Sequence, residues 1–105
     1  MTKEIPRAAL LGDTCNGHDC FPSRDNDEGS PNVIINGIPH HRQGDHWAEH
    51  CCTCPWTPHG CHDSALASGS STVYTNGKQS GRKGDPVACG SSVAGPCSPD
   101  VIIGG

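Results

Sequence analysis

The strongest constraint on the fold of this chain is an internal repeat. Residues 29–45 read GSPNVIINGIPHHRQGD, and residues 69–85 read GSSTVYTNGKQSGRKGD. The two segments align at an offset of 40 residues without a gap, and 8 of the 17 positions are identical. A repeat of this kind in a chain of 105 residues predicts one domain assembled from similar supersecondary units.

Each copy of the repeat has the pattern of a β-hairpin. A β-branched run precedes Asn36-Gly37 in the first copy and Asn76-Gly77 in the second. Asn-Gly is the strongest short signal for a two-residue type I′ turn. The return strand ends at Gly-Asp, where Asp45 and Asp85 are expected to accept hydrogen bonds from the backbone N–H groups that follow them. The arginine three residues earlier is expected either to pair with this aspartate or to form a solvated surface pair of little energetic value.

A third copy of the repeat is divided between the two ends of the chain. Residues 97–105, CSPDVIIGG, match the first half of a copy, and residues 6–13, PRAALLGD, match the second half. Pairing of the N- and C-terminal strands therefore closes a ring of three hairpins. A closed ring leaves few exposed sheet edges, which suits a small all-β domain.

The composition indicates that this domain needs a staple. Hydrophobic residues make up 32% of the chain and aromatic residues 4%, which is too little apolar volume for an ordinary two-layer core. The chain also holds eight cysteines and seven histidines, so a metal ion or disulfides are the leading candidates. A net charge of −4 with seven Lys and Arg residues argues against a nucleic-acid partner.

The N-terminal segment has no apolar stretch of signal-peptide length, and no apolar run approaches the length of a membrane span. We therefore expect synthesis in the cytoplasm without a signal peptide. In that reducing compartment, clustered cysteines and histidines favour metal binding over disulfides.

The candidate metal ligands follow the three Gly-Asp pairs at similar distances. His18, His50 and Cys89 lie four or five residues after these pairs, and His62 lies where the long second loop returns to the next hairpin. If three hairpins surround one axis, the loops after the Gly-Asp pairs meet at one end, and these four side chains converge. Three imidazoles and one thiolate form a closed tetrahedral set, which is typical of a structural zinc site.

The other histidines and cysteines are assigned less directly. His40, His41 and His46 have no counterparts at equivalent repeat positions, and we expect them on the surface. Cys54 or Cys61 is an alternative to His62 as the fourth ligand, and a disulfide within the long loop, such as Cys54–Cys61, or a Cys15–Cys20 disulfide is possible. The residues left for a second metal site or for disulfides are Cys15, Cys20, Cys51, Cys52, Cys54, Cys61 and Cys97.

These residues resemble those of PAAR-repeat proteins, the spike-tip proteins of type VI secretion systems, contractile phage tails and related injection particles. The family motif, Pro-Ala-Ala-Arg before Gly-Asp, is degenerate here: PRAALLGD, PHHRQGD and QSGRKGD. The surrounding framework of Gly-Ser, Val, Asn-Gly, Arg and Gly-Asp is well kept. The resemblance covers essentially the whole chain, so residues 1–105 are expected to form a single spike-tip domain without an appended effector domain.

The resemblance implies a small cone of three β-hairpins about a pseudo-threefold axis. It also implies a structural zinc ion near the point, held by three histidines and one cysteine, which match His18, His50, His62 and Cys89. The chain departs from the family pattern at Leu10, which replaces the arginine of the split copy, and in its surplus cysteines.

The implied function is that of a structural, membrane-piercing tip rather than an enzyme. The broad base would cap a trimeric β-helical spike, either VgrG-like or a phage tail-spike protein, with one tip per trimer. The tip would be delivered outside the cell and contact the target membrane transiently. We expect apolar surface to be left over near the base, from side chains that alternate along the strands: Val33, Ile35, Val73, Val101 and Ile103.

An alternative interpretation is a small Cys/His enzyme or binding module, stapled by zinc or by disulfides. In such an enzyme Cys89 would be a candidate nucleophile. The candidate ligands recur at similar positions in the repeat, however, and no oriented acid–base pair stands out. We therefore predict no catalytic residues.

Overall fold

The computed structural model describes residues 6–18, 21–51 and 60–104. In these residues the chain forms short β-strands and no helix, which confirms the predicted all-β class. No helix capable of crossing a membrane is found in this part of the chain. The strands are β1 (Thr14–Cys15), β2 (Ile34–Ile35), β3 (Ile38–Pro39), β4 (His46–Cys51), β5 (Cys61–Ala65), β6 (Tyr74–Thr75), β7 (Lys78–Gln79) and β8 (Val93–Gly95), which pair as β1–β8, β2–β3, β4–β5 and β6–β7.

The two uninterrupted repeat copies form the predicted hairpins. Strands β2 and β3 pair antiparallel around Asn36-Gly37, and β6 and β7 pair around Asn76-Gly77. Both turn residues have positive φ in each hairpin, 54° and 78° in the first and 55° and 77° in the second. A type I′ turn requires positive φ at both central residues, and Asn and Gly adopt it at the lowest cost.

The divided third copy pairs in the same way, which confirms the predicted pairing of the termini. The Ala8 N–H donates to the Val101 carbonyl at 2.9 Å, and the Ser98 N–H donates to the Ala8 carbonyl at 2.8 Å. His40 makes the equivalent pair of bonds in the first hairpin, and Ser80 makes it in the second.

A buried ring of backbone hydrogen bonds joins the three copies. The Ala9 N–H donates to Gly81 at 2.9 Å, the Gly81 N–H donates to His41 at 3.0 Å, and the His41 N–H donates to Ala9 at 2.9 Å. These three residues occupy equivalent repeat positions. A Cβ atom at Gly81 would lie 2.7 Å from the His41 carbonyl oxygen, so the closeness of the strands requires glycine there.

After each Gly-Asp pair the chain runs outward and returns to the same aspartate. The residue that returns donates its N–H to the aspartate carbonyl at 3.0 Å in every copy; the bonds are Asn26 to Asp13, Leu66 to Asp45 and Val93 to Asp85. Each returning segment then pairs with the outgoing segment of another loop, through Asn26 with Trp47, Leu66 with Val87, and Val93 with Cys15. This second closed set of contacts gathers the three loops at one end of the hairpins.

The hydrophobic core lies between these loops and is small. Trp47 is its largest side chain and is fully buried. The rest of the cluster consists of Ala9, Cys15, Leu66, Val87, Val93 and Cys97, with Cys89 packed against it. This core is consistent with the prediction that the domain needs a staple.

The Gly-Asp aspartates are buried, and each binds the backbone N–H of the residue three positions before it rather than those of the residues that directly follow. In each copy the carboxylate accepts the N–H of the residue three positions earlier, at 2.7 Å for Asp13 and 2.8 Å for both Asp45 and Asp85. The prediction that they cap the following backbone was therefore wrong. The turn folds the carboxylate back over its own return strand.

The arginine of the repeat pairs with this aspartate in both copies that carry it. Arg42 donates two bonds of 2.9 Å to Asp45, and neither side chain has appreciable exposure. Arg82 binds Asp85 at 3.2 and 3.0 Å. Of the two alternatives drawn from the sequence, the buried pair is therefore the correct one, and the solvated surface pair is not formed.

The split copy satisfies its aspartate without an arginine. Leu10 takes the arginine position and is buried. The second oxygen of Asp13 accepts the N–H of Cys97 at 3.1 Å instead. A backbone donor thus replaces the missing guanidinium.

The exposed apolar side chains are only in part those expected. Ile34, Tyr74 and Ile102 are 52%, 58% and 58% exposed, whereas Val33 is half-buried and Ile103 is buried. Successive side chains of a strand point to opposite faces, so in the first hairpin and the split copy the partial burial of Val33 and the burial of Ile103 leave Ile34 and Ile102 exposed. Of the predicted residues, Val73 is exposed, while Val33, Ile35, Val101 and Ile103 are half-buried or buried.

Candidate metal centre

Three loops bring the four predicted ligands together. His50 on β4 and His62 on β5 are directly opposite each other in the antiparallel register. His18 follows β1 in the loop after Asp13. Cys89 lies in the turn between Val87 and Ser91, which is closed by the Val87 N–H bond to the Ser91 carbonyl.

The three imidazoles point their Nε2 atoms at one another. The distance between Nε2 atoms is 3.2 Å for His18 and His50, 3.1 Å for His18 and His62, and 2.7 Å for His50 and His62. The Cys89 sulfur and these nitrogens all lie within 4.8 Å of one another. Ligand atoms around a tetrahedral zinc ion are about 3.3–3.6 Å apart, so this donor set fits such an ion after small side-chain shifts.

The hydrogen bond at the other side of the His50 ring fixes its protonation. Its Nδ1 lies 2.7 Å from the Pro22 carbonyl oxygen, which can only accept, so Nδ1 carries the proton and Nε2 presents a lone pair. Metal-binding histidines are typically oriented in this way. Burial is the main cause that lowers the pKa of His50, which favours the neutral form of the ring that binds a cation.

Phe21 covers the three imidazoles. Its ring centroid is 4.9 Å from those of His18 and His50 and 4.2 Å from that of His62. Phe21 is buried, and its ring forms an apolar wall beside the three imidazoles. Sequence reasoning missed this residue, although it is the only phenylalanine in the chain and follows His18 by three positions.

Arg24 lies beside the thiol of Cys89. Its guanidinium donates to the Cys89 sulfur at 3.5 Å and to the Cys15 sulfur at 3.0 Å, and it lies 5.4 Å from the Trp47 ring centroid. Burial raises the pKa of the Cys89 thiol, but hydrogen bonds from Arg24 and Ser91 together lower it below its ordinary value. Cys89 is therefore prepared to act as a thiolate. No sequence pattern pointed to Arg24.

The surplus cysteines differ in bonding state and location. Cys51 and Cys61 form a disulfide, so the suggested Cys54–Cys61 pairing was wrong, and Cys61 is not an alternative to His62. Cys15 is a buried free thiol, which rules out its pairing with Cys20. Cys97 is buried in the core. The remaining three, Cys20, Cys52 and Cys54, lie outside the described residues.

A second group of possible ligands consists of Glu49, Cys51 and Cys61. Its two sulfurs are joined to each other in the disulfide. The sequence left open whether these two cysteines bind a second metal ion or form a disulfide, and the structure shows the disulfide.

The expectation that His40 and His41 lie on the surface was wrong, because both are buried. They belong to the return strand that enters the central ring. The Nδ1 of His40 binds the Ala9 carbonyl at 2.8 Å, and the Nδ1 of His41 binds the Glu28 carbonyl at 2.7 Å. Burial is the main cause that lowers the pKa of both rings.

His46 is partly exposed, as expected, but it is not isolated. Its Nδ1 lies 2.6 Å from Asp27 and its Nε2 lies 2.8 Å from Asp63. Both nitrogens can donate only if the ring is protonated. The hydrogen bond with Asp63, followed by that with Asp27, raises the pKa of His46.

Comparison with known families identifies the repeat. A family model described as the PAAR motif matches residues 26–95, which is more than half of the chain. The matched segment contains both uninterrupted hairpins and the ligand candidates His50, His62 and Cys89, while His18 precedes it. No curated protein matches the chain.

Proposed function

Since this chain belongs to the PAAR-motif family, we propose that it is a structural tip that caps and sharpens the trimeric β-helical spike of a contractile injection machine. The machine is either a type VI secretion system or a phage tail, and residues 1–105 act as a single spike-tip domain. The observation that carries this proposal is the ring of equivalent contacts among the three repeat copies.

This ring supports a pseudo-threefold axis. The backbone bonds of Ala9, His41 and Gly81 relate three equivalent positions in a closed cycle, and the loops after the Gly-Asp pairs repeat that cycle. One chain with three similar faces matches a symmetric trimer, because each face meets one subunit. We therefore assign one tip to each spike trimer, whether the spike is VgrG-like or a phage tail-spike.

The exposed apolar residues support a base that binds this trimer. Ile34 and Tyr74 occupy equivalent positions in two hairpins, and Ile102 occupies the same position in the split copy. Each is more than half exposed. Three related apolar side chains on a monomer this small are typical of a partner surface.

The metal centre supports a mechanical role at the other end. We assign structural zinc to His18, His50, His62 and Cys89, because three imidazoles and a thiolate complete a tetrahedral set without an open position for a substrate. The ion would cross-link three loops that the small hydrophobic core alone stabilises only weakly. Structural zinc contributes on the order of 10 kcal/mol of folding free energy. We accordingly propose no enzymatic activity.

The test of the capping role is the stoichiometry of the complex. Native mass spectrometry of the chain mixed with the spike protein from its gene neighbourhood should show one tip per trimer. Three tips per trimer, or no complex at micromolar concentration, would contradict the proposal.

A pair of charge substitutions locates the binding surface. Tyr74→Asp places a charge in the exposed apolar set and should weaken the complex at least tenfold. Ala67→Asp makes the same change at an exposed position outside that set, and it should leave binding unchanged. Equal effects of the two substitutions would contradict the proposal that this surface binds the spike.

Elemental analysis tests the zinc assignment independently. Purified protein should contain one zinc ion per chain. Folded protein that contains no metal would contradict the assignment without affecting the capping role.

A further inference from the structure

The disulfide lies next to the metal centre on the same pair of strands. Cys51 faces Cys61 in the register of β4 and β5, one position beyond the facing pair His50 and His62. The covalent bond therefore fixes the separation of the two strands at the point where they supply two of the four ligands.

The disulfide holds the ligands without contributing to them. Successive side chains of a strand point to opposite faces, so the cysteines lie on the face of the ribbon opposite the histidines. Consistent with this arrangement, Cys51 and Cys61 group with Glu49 and not with His50 and His62.

The strand pairing on the other side of the histidines is irregular. The register shifts between Trp47 and His50, so the ladder is interrupted before it reaches the facing pair His50 and His62. An interrupted ladder constrains the strands less than a regular one. The covalent bond is thus the nearest firm constraint on the separation of the two imidazoles, whose Nε2 atoms are only 2.7 Å apart.

We propose that Cys51 and Cys61 form a redox clamp, which retains the metal ion when oxidised and lets it exchange more readily when reduced. This inference rests on the proposed metal site. It adds a form of regulation that the four ligands alone do not provide, because the cysteines respond to thiols and disulfides in their surroundings. Cys61 is exposed, so small thiols and disulfides can reach it.

The chemistry of the clamp is thiol–disulfide exchange. A thiolate of the pair attacks a small-molecule disulfide of the glutathione class and releases one thiol. The second thiolate then attacks this mixed disulfide, forms the Cys51–Cys61 bond and releases the second thiol. The protein loses two electrons and two protons, and the small disulfide gains them as two thiols.

The experiment measures the rate at which zinc leaves the full chain. Zinc-loaded protein is mixed with an excess of a chromogenic chelator, and release is followed by absorbance. The oxidised wild type is compared with the double variant Cys51→Ser/Cys61→Ser. The control is Glu49→Gln, which changes an exposed neighbour on the same strand but keeps the disulfide. Peptide mapping verifies the Cys51–Cys61 bond in the wild type and in the control.

Release should be at least about tenfold faster from the double variant, within the range seen when groups that orient metal ligands are removed. The control should release zinc at the wild-type rate. Because the double variant can fail to fold, the wild type is also reduced with a phosphine while zinc is bound and assayed without oxygen, with no alkylating agent, since alkylation would also modify the ligand Cys89. This form should show the same acceleration.

Equal release rates from the oxidised and the reduced protein would overturn the clamp while leaving the zinc site intact. Acceleration in Glu49→Gln equal to that in the double variant would also overturn it, since the effect would not depend on the disulfide. Absence of zinc from every form would instead refute the proposed metal site, and the clamp with it.

Discussion

The buried pair of Arg42 and Asp45 allows a quantitative prediction, because the repeat contains its own control. The substitution Arg42→Leu places in the first copy the residue type that the split copy carries naturally. It removes two hydrogen bonds of 2.9 Å to a carboxylate that is fully buried. Breaking a buried ion pair by removing one partner costs about 3–5 kcal/mol.

Two features of the structure place the expected loss near the lower end of this range. The backbone N–H of residue 42 still binds the Asp45 carboxylate, and the Lys78 ammonium lies 3.7 Å from it. We therefore expect a loss of about 3 kcal/mol in the free energy of unfolding. For a domain of this size, that corresponds to a fall of about 12–24 °C in melting temperature.

The equivalent substitution Arg82→Leu should cost less. Its bonds to Asp85 are longer, at 3.2 and 3.0 Å, and both side chains are more exposed than those of the first pair. We expect a loss of about 1.5–2 kcal/mol, in the lower part of the range for hydrogen bonds to a charged group.

Thermal unfolding followed by circular dichroism at a fixed zinc concentration measures both variants. The double variant Arg42→Leu/Asp45→Asn should recover about half of the loss, because it removes the uncompensated buried charge. If Arg42→Leu and Arg82→Leu lower the melting temperature equally, or if the Asn substitution gives no recovery, the reasoning from burial is refuted.

Three further predictions follow from the site and its surroundings. His50→Ala should abolish stoichiometric zinc binding in elemental analysis, whereas His46→Ala, which alters a partly exposed ring on the same strand, should retain it; equal zinc content would contradict the ligand assignment. The pKa values of the buried His40 and His41 lie below the ordinary 6.5, so the unfolded chain binds more protons than the folded one. Their stabilising contribution is complete above pH 6.5 and is lost as the pH falls through the folded pKa values. The melting temperature of the chelator-treated His46→Ala variant, which lacks the ring whose pKa is shifted in the opposite direction, should therefore fall between pH 7 and 5, and a constant value would contradict this. Phe21→Ala should lower the melting temperature of zinc-loaded protein by about 10 °C or more, since truncation of a buried Phe costs about 3–5 kcal/mol; a change below 3 °C would show that Phe21 does not cover the imidazoles tightly.

Much of the fold could be predicted from the sequence because the repeat shows where the turns lie and which segments pair. Asn-Gly at 36–37 and 76–77 identifies two hairpins, since the required backbone conformation suits few other residues. The alignment of residues 97–105 and 6–13 with the repeat predicts that the termini pair. The convergence of His18, His50 and Cys89 followed from their similar positions after Gly-Asp, which is a property of the repeat rather than of any local motif.

Other features could not be predicted because they depend on which surfaces meet. His40 and His41 look like surface residues in a polar stretch, yet their strand enters the central ring and buries them. Arg24 belongs to no recognisable sequence motif. Its contact with Cys89 arises from the packing of two loops that are far apart in sequence. The disulfide partner of Cys61 was uncertain because eight cysteines permit many pairings.

The sequence by itself determined the number of units, their turns, the closure by the termini and the residue types available to a metal ion. These features are local or recur from one copy of the repeat to another, so they can be recognised without coordinates. Only the tertiary structure decided which aspartate is fully buried, which apolar side chains remain exposed and which cysteines meet. Each of these depends on the register and approach of segments distant in the chain, and a shift of one residue in a strand reverses the face on which every side chain lies.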